Sequence, residues 1–258
     1  MLKEERQQII VEELNTVGFV SVSDLTDKMQ VTEMTIRRDL KELEIKGLLK
    51  RIHGGAKPLD ALHSKEISHQ EKRKKNIDEK IKIAKIINSL IQEESTVFLG
   101  TGTTIELVAE FIKGRNIRVV TNSYYLFEKL AYEEKPDVIL IGGTFRSKTG
   151  AFVGNFTNEL LRNIRVDCAF IGANGIYENG AFDSNPAESE ALKIIMDNAR
   201  NKYIAVDYSK IGKEDFLEFY SLDEITALIV DENIEEKSKN RLSKLTEIIT
   251  NPKNQKRV

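Results

Sequence analysis

The sequence has a single cysteine, Cys168, so no disulfide can form within the chain and a secreted, disulfide-stapled scaffold is excluded. Its apolar runs, such as Val138-Ile139-Leu140-Ile141, fall far short of the roughly 20 residues that cross a bilayer. The opening Met1-Leu2-Lys3-Glu4-Glu5-Arg6 lacks the apolar stretch of a secretory signal. A cytoplasmic protein is expected. There is no charge excess either: 39 Lys and Arg stand against 41 Asp and Glu, for a net charge of −2, so any basic surface must be local. His53, His63 and His69 are too scattered for a metal set, and neither metal nor cofactor is expected.

With 258 residues, 40% hydrophobic and 31% charged, the chain has room for two globular domains. Between Lys28 and Lys57 eight basic side chains face four acidic ones, a local excess of positive charge. The turn-forming Gly54-Gly55-Ala56-Lys57-Pro58 follows, then a polar stretch ending in Lys72-Arg73-Lys74-Lys75. Few contacts are expected to cross such a segment. The expected organisation is a domain over 1–57, a linker over 58–75 and a body over 76–258.

In the first 57 residues, Ile10, Leu14 and Val17 form one apolar helical stripe that ends at Gly18. Phe19-Val20 allows a small strand, and Ser21 with Asp24 reads as a cap opening a second helix through Met29. After the turn Gln30-Val31, Thr32 can cap a third helix running to about Ile45, with Gly47 beyond it; Leu48 to Gly55 then reads as a hairpin. This order is that of a winged helix-turn-helix. At 100° per residue, Ile36, Leu40 and Leu43 share one face of the third helix, while Met34, Arg38 and Lys41 lie opposite and Thr35 and Arg37 flank them. Such a face suits a DNA major groove, where Arg pairs bidentately with guanine and Thr meets a thymine methyl or a phosphate. Lys50, Arg51 and His53 of the hairpin would reach neighbouring phosphates.

The body alternates strands and helices. Strand-like runs lie at Thr96–Leu99, Ile117–Thr121, Asp137–Ile141, Asp167–Gly172, Tyr203–Val206 and Thr226–Val230. Helical patterns fall near 104–113, 124–134, 155–163, 187–200 and 233–248, after a first helix carrying Ile77, Ile81, Ala84 and Ile91. The pattern predicts an α/β fold, with a mostly parallel sheet covered on both faces. Gly100-Thr101-Gly102-Thr103-Thr104 joins a strand to a helix N-terminus, a place for an anion. It is neither a Walker loop nor a dinucleotide fingerprint, so a small phosphorylated metabolite fits better. Small polar loops follow other strands: Thr121-Asn122-Ser123, Gly142-Gly143-Thr144, Gly172-Ala173-Asn174-Gly175 and Asp207-x-Ser209-Lys210. Ligands of open α/β sheets bind at that edge.

Val22-Ser23-Asp24-Leu25, Val31 to Leu43, Gly47-Leu48 and Arg51-Ile52-His53-Gly54-Gly55-Ala56 together resemble the DeoR family of bacterial transcriptional regulators. The resemblance extends through the body at Gly100 to Thr104, Thr121-Asn122, Ile141-Gly142-Gly143, Gly172 to Ile176, Glu190-Ala191-x-Lys193 and Asp207-x-Ser209-Lys210-x-Gly212. It implies that the third helix reads operator DNA. It also implies a body similar to the ribose-5-phosphate isomerase fold group that senses a sugar phosphate. Carried over, Thr101, Gly102, Thr103 and Thr104 would hold the phosphate, with Asn122, Gly143, Asn174 and Lys210 around the ligand. Lys65 to Lys72, Ala151-Phe152-Val153-Gly154 and Lys213-Glu214-Asp215-Phe216 are similar to the family's lactose phosphotransferase-system branch. That implies a repressor relieved by galactose 6-phosphate or tagatose 6-phosphate, with a fructose- or hexitol-phosphate regulator as the alternative.

The chain departs from the family at Asn174, where an aspartate is usual. Proton abstraction beside a carbonyl needs a general base, and an amide cannot serve. Asp183, Glu188 and Glu190 are the nearby acids in sequence. Binding without turnover is therefore expected, against the alternative of a sugar-phosphate isomerase with a DNA-binding appendage. A single recognition helix makes few base contacts, so a homodimer or homotetramer is expected.

Overall fold

The computed structural model describes residues 3–17, 19–46, 48–52, 54–57 and 68–252. They divide into two units, Met1–Glu66 and Ile67–Val258.

The first unit runs α1 (Lys3–Val17), β1 (Val20–Ser21), α2 (Val22–Met29), α3 (Glu33–Ile45), β2 (Lys50–Ile52) and β3 (Gly55–Lys57). The caps form as their residue types require: Ser21 Oγ accepts from the Asp24 amide at 3.0 Å, and Thr32 Oγ1 from the Thr35 amide at 3.3 Å. Between those helices Gln30 turns the chain in the left-handed region, at φ 53°. Ile10, Leu14, Leu25, Met29, Ile36, Leu40 and Leu43 are buried together. The strand order β1-β3-β2 makes a three-stranded sheet of the hairpin and the first short strand. A Cβ on Gly55 would lie 2.1 Å from the Val20 carbonyl oxygen, so only glycine lets β3 approach β1. Periodicity did not point to the buried Asp39, which accepts from Arg6 Nε at 2.5 Å. Gly18 and Gly47, the expected helix ends, lie outside the described residues.

The second unit begins with α4 (His69–Arg73), α5 (Ile77–Leu90), β4 (Thr96–Leu99), α6 (Thr103–Glu106), α7 (Ala109–Ile112), β5 (Arg118–Thr121), α8 (Tyr124–Leu130) and β6 (Asp137–Leu140). It continues through β7 (Thr144–Arg146), β8 (Ala151–Val153), α9 (Asn155–Arg162), β9 (Val166–Ile171), β10 (Gly175–Tyr177), β11 (Gly180–Asp183), α10 (Pro186–Asp197) and β12 (Ala199–Val206). β13 (Leu217–Ser221), β14 (Ala227–Val230), α11 (Glu236–Leu242) and β15 (Glu247–Ile249) complete it. Seven strands form a parallel sheet in the order β15-β14-β12-β9-β4-β5-β6. Alternate residues feed two cores. Val97, Leu99, Val119 and Phe170 pack with Ile83 and Ile87 of α5 and Ile105 and Ile112 of α6 and α7. On the opposite face Phe98, Val120, Ala169 and Ile204 pack with Leu161 of α9 and Leu192 and Ile195 of α10.

Several expectations need correction. The helix expected over 104–113 is broken into α6 and α7. That expected over 187–200 stops at Asp197, because Ala199 and Arg200 pair into β12 beside β9. The end of the 233–248 pattern is the edge strand β15, paired to β14. The β7–β8 hairpin and the antiparallel set β10-β11-β13 had no counterpart in the sequence reading. Residues 68–73, expected in the linker, are capped and helical, and Ile67 onward belongs to the second unit.

Removing one partner of a buried ion pair strands the other charge. Asp39→Ala is therefore expected to destabilise the first unit by about 3 kcal/mol, seen in the intact chain as faster hydrogen exchange of α1 and α3 amides.

Candidate functional site

The outward face of α3 is as the helical angles require. Met34 is 80% exposed, and Thr32, Arg37, Arg38 and Lys41 are exposed with it, while Thr35 is half-buried. The hydroxyls of Thr32 and Thr35 lie 3.0 Å apart. Arg37 pairs with Glu33 at 3.0 Å and Arg38 with Glu42 at 3.6 Å. Pairs this exposed contribute little, so both guanidinium groups can be transferred to phosphate or base edges. Lys50 and Arg51 are exposed on β2, and the Arg51 amide donates to Glu44 Oε1 at 2.8 Å, fixing the hairpin to α3. His53 lies outside the described residues.

In the second unit the strand order reverses beside β4. The chain runs outward from β4 through β5 to β6, then returns to place β9 on the other side of β4. Loops leaving β4 and β9 diverge from such a point and open a crevice at the strands' C-terminal ends. Gly102 there has φ 118°, a conformation suited to glycine. Thr101, Thr103 and Thr104 are buried. A Cβ on Gly172 would lie 3.7 Å from the Thr101 carbonyl oxygen, so the two loops touch. The loop after β12 joins them: Asn76 Nδ2 donates to Asp207 Oδ1 at 2.7 Å and to Ser209 Oγ at 3.1 Å, and Gly175 packs against the Lys213 carbonyl.

Positive charge gathers on one side. Partial burial pulls the Lys210 ammonium down to about 8, opposed by Asp207 and aided by Lys72, Lys213 and Lys80. Burial also lowers Lys80, opposed by Asp207, and lowers Lys213. Lys80 Nζ donates to the Lys72 carbonyl. Ammonium groups desolvated and repelling one another are stabilised by an incoming anion. Of this group the sequence pointed only to Lys210. Lys80 lies within a regular helical pattern and Lys72 within a charge run, so neither carried a local signal.

The other side is acidic. Asn174 Nδ2 faces Asp183 Oδ1 at 2.9 Å, Asp215 Oδ2 at 2.9 Å and Ser184 Oγ at 3.1 Å, while its Oδ1 accepts from Lys72 Nζ at 2.6 Å. Burial and the neighbouring Glu188 push the Asp183 carboxyl up to about 7. Glu188 itself accepts from Arg146 and Thr149, and Glu190 lies 3.6 Å from exposed Arg162. Of the three acids considered from sequence, only Asp183 touches Asn174. Carboxylates beside an amide accept from the hydroxyls of a polyol, and Lys72, which touches Asn174 and Lys80, joins these acceptors to the lysines.

Asn122 and Gly143 follow β5 and β6. Asn122 is buried and donates to the Phe152 carbonyl at 3.0 Å, holding β8. A Cβ on Gly143, at φ 154°, would meet Thr157 Oγ1 at 2.0 Å, so its glycine admits α9. Asn122 Oδ1 is buried without a hydrogen-bond partner among the described residues.

α4 packs on α6 and α8. His69 stacks on Tyr125 at 4.1 Å, with Nε2 2.8 Å from Glu106 Oε2. Burial raises the Glu106 carboxyl, yet His69, Arg73 and Lys129 outweigh it and hold the group below its ordinary range.

Between pH 8 and 10.5 folded Lys210 is largely neutral while the unfolded chain keeps that proton. The unfolded state binds more protons, so this group makes stability rise with pH across that window; below it the burial cost stays in full. Lys210→Met is expected to reduce the rise, measured by thermal unfolding at a series of pH values.

Family models match both units: the DeoR-like helix-turn-helix domain over residues 6–61 and the DeoR C terminal sensor domain over residues 75–232. The chain is 41% identical, over 96% of its length and 100% of the relative's, to a lactose phosphotransferase system repressor of Streptococcus mutans. It is 39% identical to one from Staphylococcus epidermidis, over 97% of this chain and 100% of that protein. Among solved structures it is similar to ribose 5-phosphate isomerase A of Methanocaldococcus jannaschii, with TM-score 0.39, 22% identity, and coverage of 53% of this chain and 55% of that one. The chain belongs to the DeoR family.

Proposed function

We propose that the protein is a transcriptional repressor of a lactose phosphotransferase-system operon, relieved by a phosphorylated sugar. The carrying observation is the cluster at the strand-order reversal, where Lys72, Lys80, Lys210 and Lys213 crowd together around Asp207 and carboxylates face Asn174. A phosphorylated sugar has the matching polarity: a dianion at one end and hydroxyl donors at the other. Thr101, Gly102, Thr103, Thr104, Lys80 and Lys210 take the phosphate, and Asn174, Asp183 and Asp215 the hydroxyls. Galactose 6-phosphate or tagatose 6-phosphate is the favoured inducer, as the resemblance to the lactose phosphotransferase-system branch implies. A fructose or hexitol phosphate is the alternative. Asn122, whose buried Oδ1 has no partner among the described residues, and Gly143 complete the set around the ligand.

Operator DNA is read by Thr32, Met34, Thr35, Arg37, Arg38 and Lys41, with Lys50, Arg51 and His53 on phosphates. Two-fold repetition of the head in a dimer or tetramer supplies the specificity that one helix lacks. Ligand binding biases an equilibrium between arrangements with different operator affinity.

The enzyme alternative is favoured by one observation, the Asp183 carboxyl near pH 7 beside Asn174. Against it, the position where the family usually has an aspartate is an amide, and Asp183 already accepts from Asn174 and from the Ser184 amide. Binding without turnover follows.

A thermal-shift panel of sugar phosphates and their parent sugars tests the sensor. At 100 times its Kd a ligand adds about 2.7 kcal/mol, and Lys80→Ala with Lys210→Met should abolish the shift. A shift with the unphosphorylated sugar alone, or turnover of any sugar phosphate, refutes the reading. For DNA, a duplex selected from a random pool should bind with a steep salt dependence. Lys50→Ala should reduce the log–log salt slope by about 1, and Arg38→Ala should cost about 1–3 kcal/mol with relaxed specificity at one base pair.

A further inference from the structure

Lys72 stands between the two halves of the crevice. Its Nζ donates to Asn174 Oδ1 at 2.6 Å, its carbonyl accepts from Lys80 Nζ, and its charge acts on both Lys210 and Asp183. It is also five residues beyond the segment 58–67 that joins the units. α4 is far too short to persist alone. Reciprocal Ser68–Glu71 capping, the His69 stack on Tyr125 and a bond from the His69 amide to the Lys148 carbonyl at 3.1 Å hold it.

We propose that Lys72 is a partner-switching ligand residue that couples the crevice to the DNA-binding unit: its ammonium, seated on Asn174 in this structure, transfers to the anion of a bound phosphorylated ligand and shifts α4. This rests on the sugar-phosphate reading above. The direction of transfer follows from charge. Asn174 offers Lys72 a neutral amide oxygen, with Asp183 attracting it only from beyond that bond, whereas a direct bond to a phosphate dianion is charge-assisted and roughly twice as strong. A dianion beside Lys80 and Lys210 also converts the repulsion that Lys72 experiences from them into attraction. Asn174 Oδ1 is released to accept from a sugar hydroxyl, so both ends of the ligand gain from one movement. Because the Lys72 amide donates to the Ser68 carbonyl at 3.0 Å, one helical turn carries a shift at Lys72 to Ser68. Ser68 adjoins the segment leading to the first unit. A ligand that binds both positions of α4 equally would shift nothing; the Lys72 bond supplies the difference.

The test uses the full chain, with Lys72→Met and Lys72→Arg, and galactose 6-phosphate, tagatose 6-phosphate and inorganic phosphate as probes. In the wild type, binding should protect Gly100–Thr104 amides from exchange and change the exchange of residues 68–75. Lys72→Met should bind the sugar phosphate about tenfold more weakly, a difference of about 1.4 kcal/mol. At saturating ligand it should show no change at 68–75 and keep its hold on a selected operator duplex. Lys72→Arg, which retains the charge, should restore both responses in part. Binding by Lys72→Met as tight as wild type or tighter, or an unaltered response at 68–75, overturns the proposal while leaving the sugar-phosphate reading intact. Failure of these three probes, and of fructose and hexitol phosphates, to protect Gly100–Thr104 in the wild type overturns both.

Discussion

The reversal of strand order between β4 and β9 is the constraint on which the second unit depends. Adjacent parallel strands whose connections leave in opposite directions cannot have their C-terminal ends covered by the same helix, so a crevice is unavoidable there. Everything chemically distinctive then collects in it. The Gly100–Thr104 and Gly172–Gly175 loops meet there, with Gly172 beside the Thr101 carbonyl and Gly102 turning the chain at φ 118°. The next strand, β12, delivers Asp207 to Lys213 to the same end. Lys80 of α5 and Lys210 and Lys213 of the β12 loop are thereby crowded into a partly desolvated space, which lowers their proton affinity and favours an incoming anion.

The first unit has a simpler logic. Two side-chain caps start α2 and α3, a left-handed residue separates them, and a shared core of Ile10, Leu25, Ile36 and Leu40 sets their crossing. The buried Asp39–Arg6 pair ties α3 to α1 on the side away from Met34, Arg38 and Lys41. A recognition face needs such a rigid backing, because base readout requires side chains held in register with the groove.

Much of this was legible before any coordinates. The α3 face, its cap, the wing and six strands of the parallel sheet follow from period, turn chemistry and β-branched runs. These are properties of neighbouring residues, which short windows of sequence contain. The errors were at places where tertiary pairing overrides local preference. Ala199 and Arg200 leave a helical pattern for β12, and the end of the 233–248 pattern is captured by the edge of β14 as β15. Of the crevice residues, the Gly/Thr loop, Asn174 and Lys210 could be named because they lie in short polar loops after strands. Asn122 could be named for the same reason, yet its side chain holds the β7–β8 hairpin.

By itself, then, the sequence determined the order and kind of the elements, the outward face of α3, the family and the loop suited to an anion. All of these rest on interactions a few residues apart. Tertiary structure alone decided which charges meet. Lys72 reaches Asn174 across 102 positions, and Asn76 reaches Asp207 across 131. Only their meeting in a partly desolvated space turns Lys80 from one position in a helical pattern into an ammonium whose proton affinity burial lowers, and Asp183 into a carboxyl pushed up to about 7. Electrostatic strength depends on distance and local solvation, and neither is a property of sequence until the chain has folded.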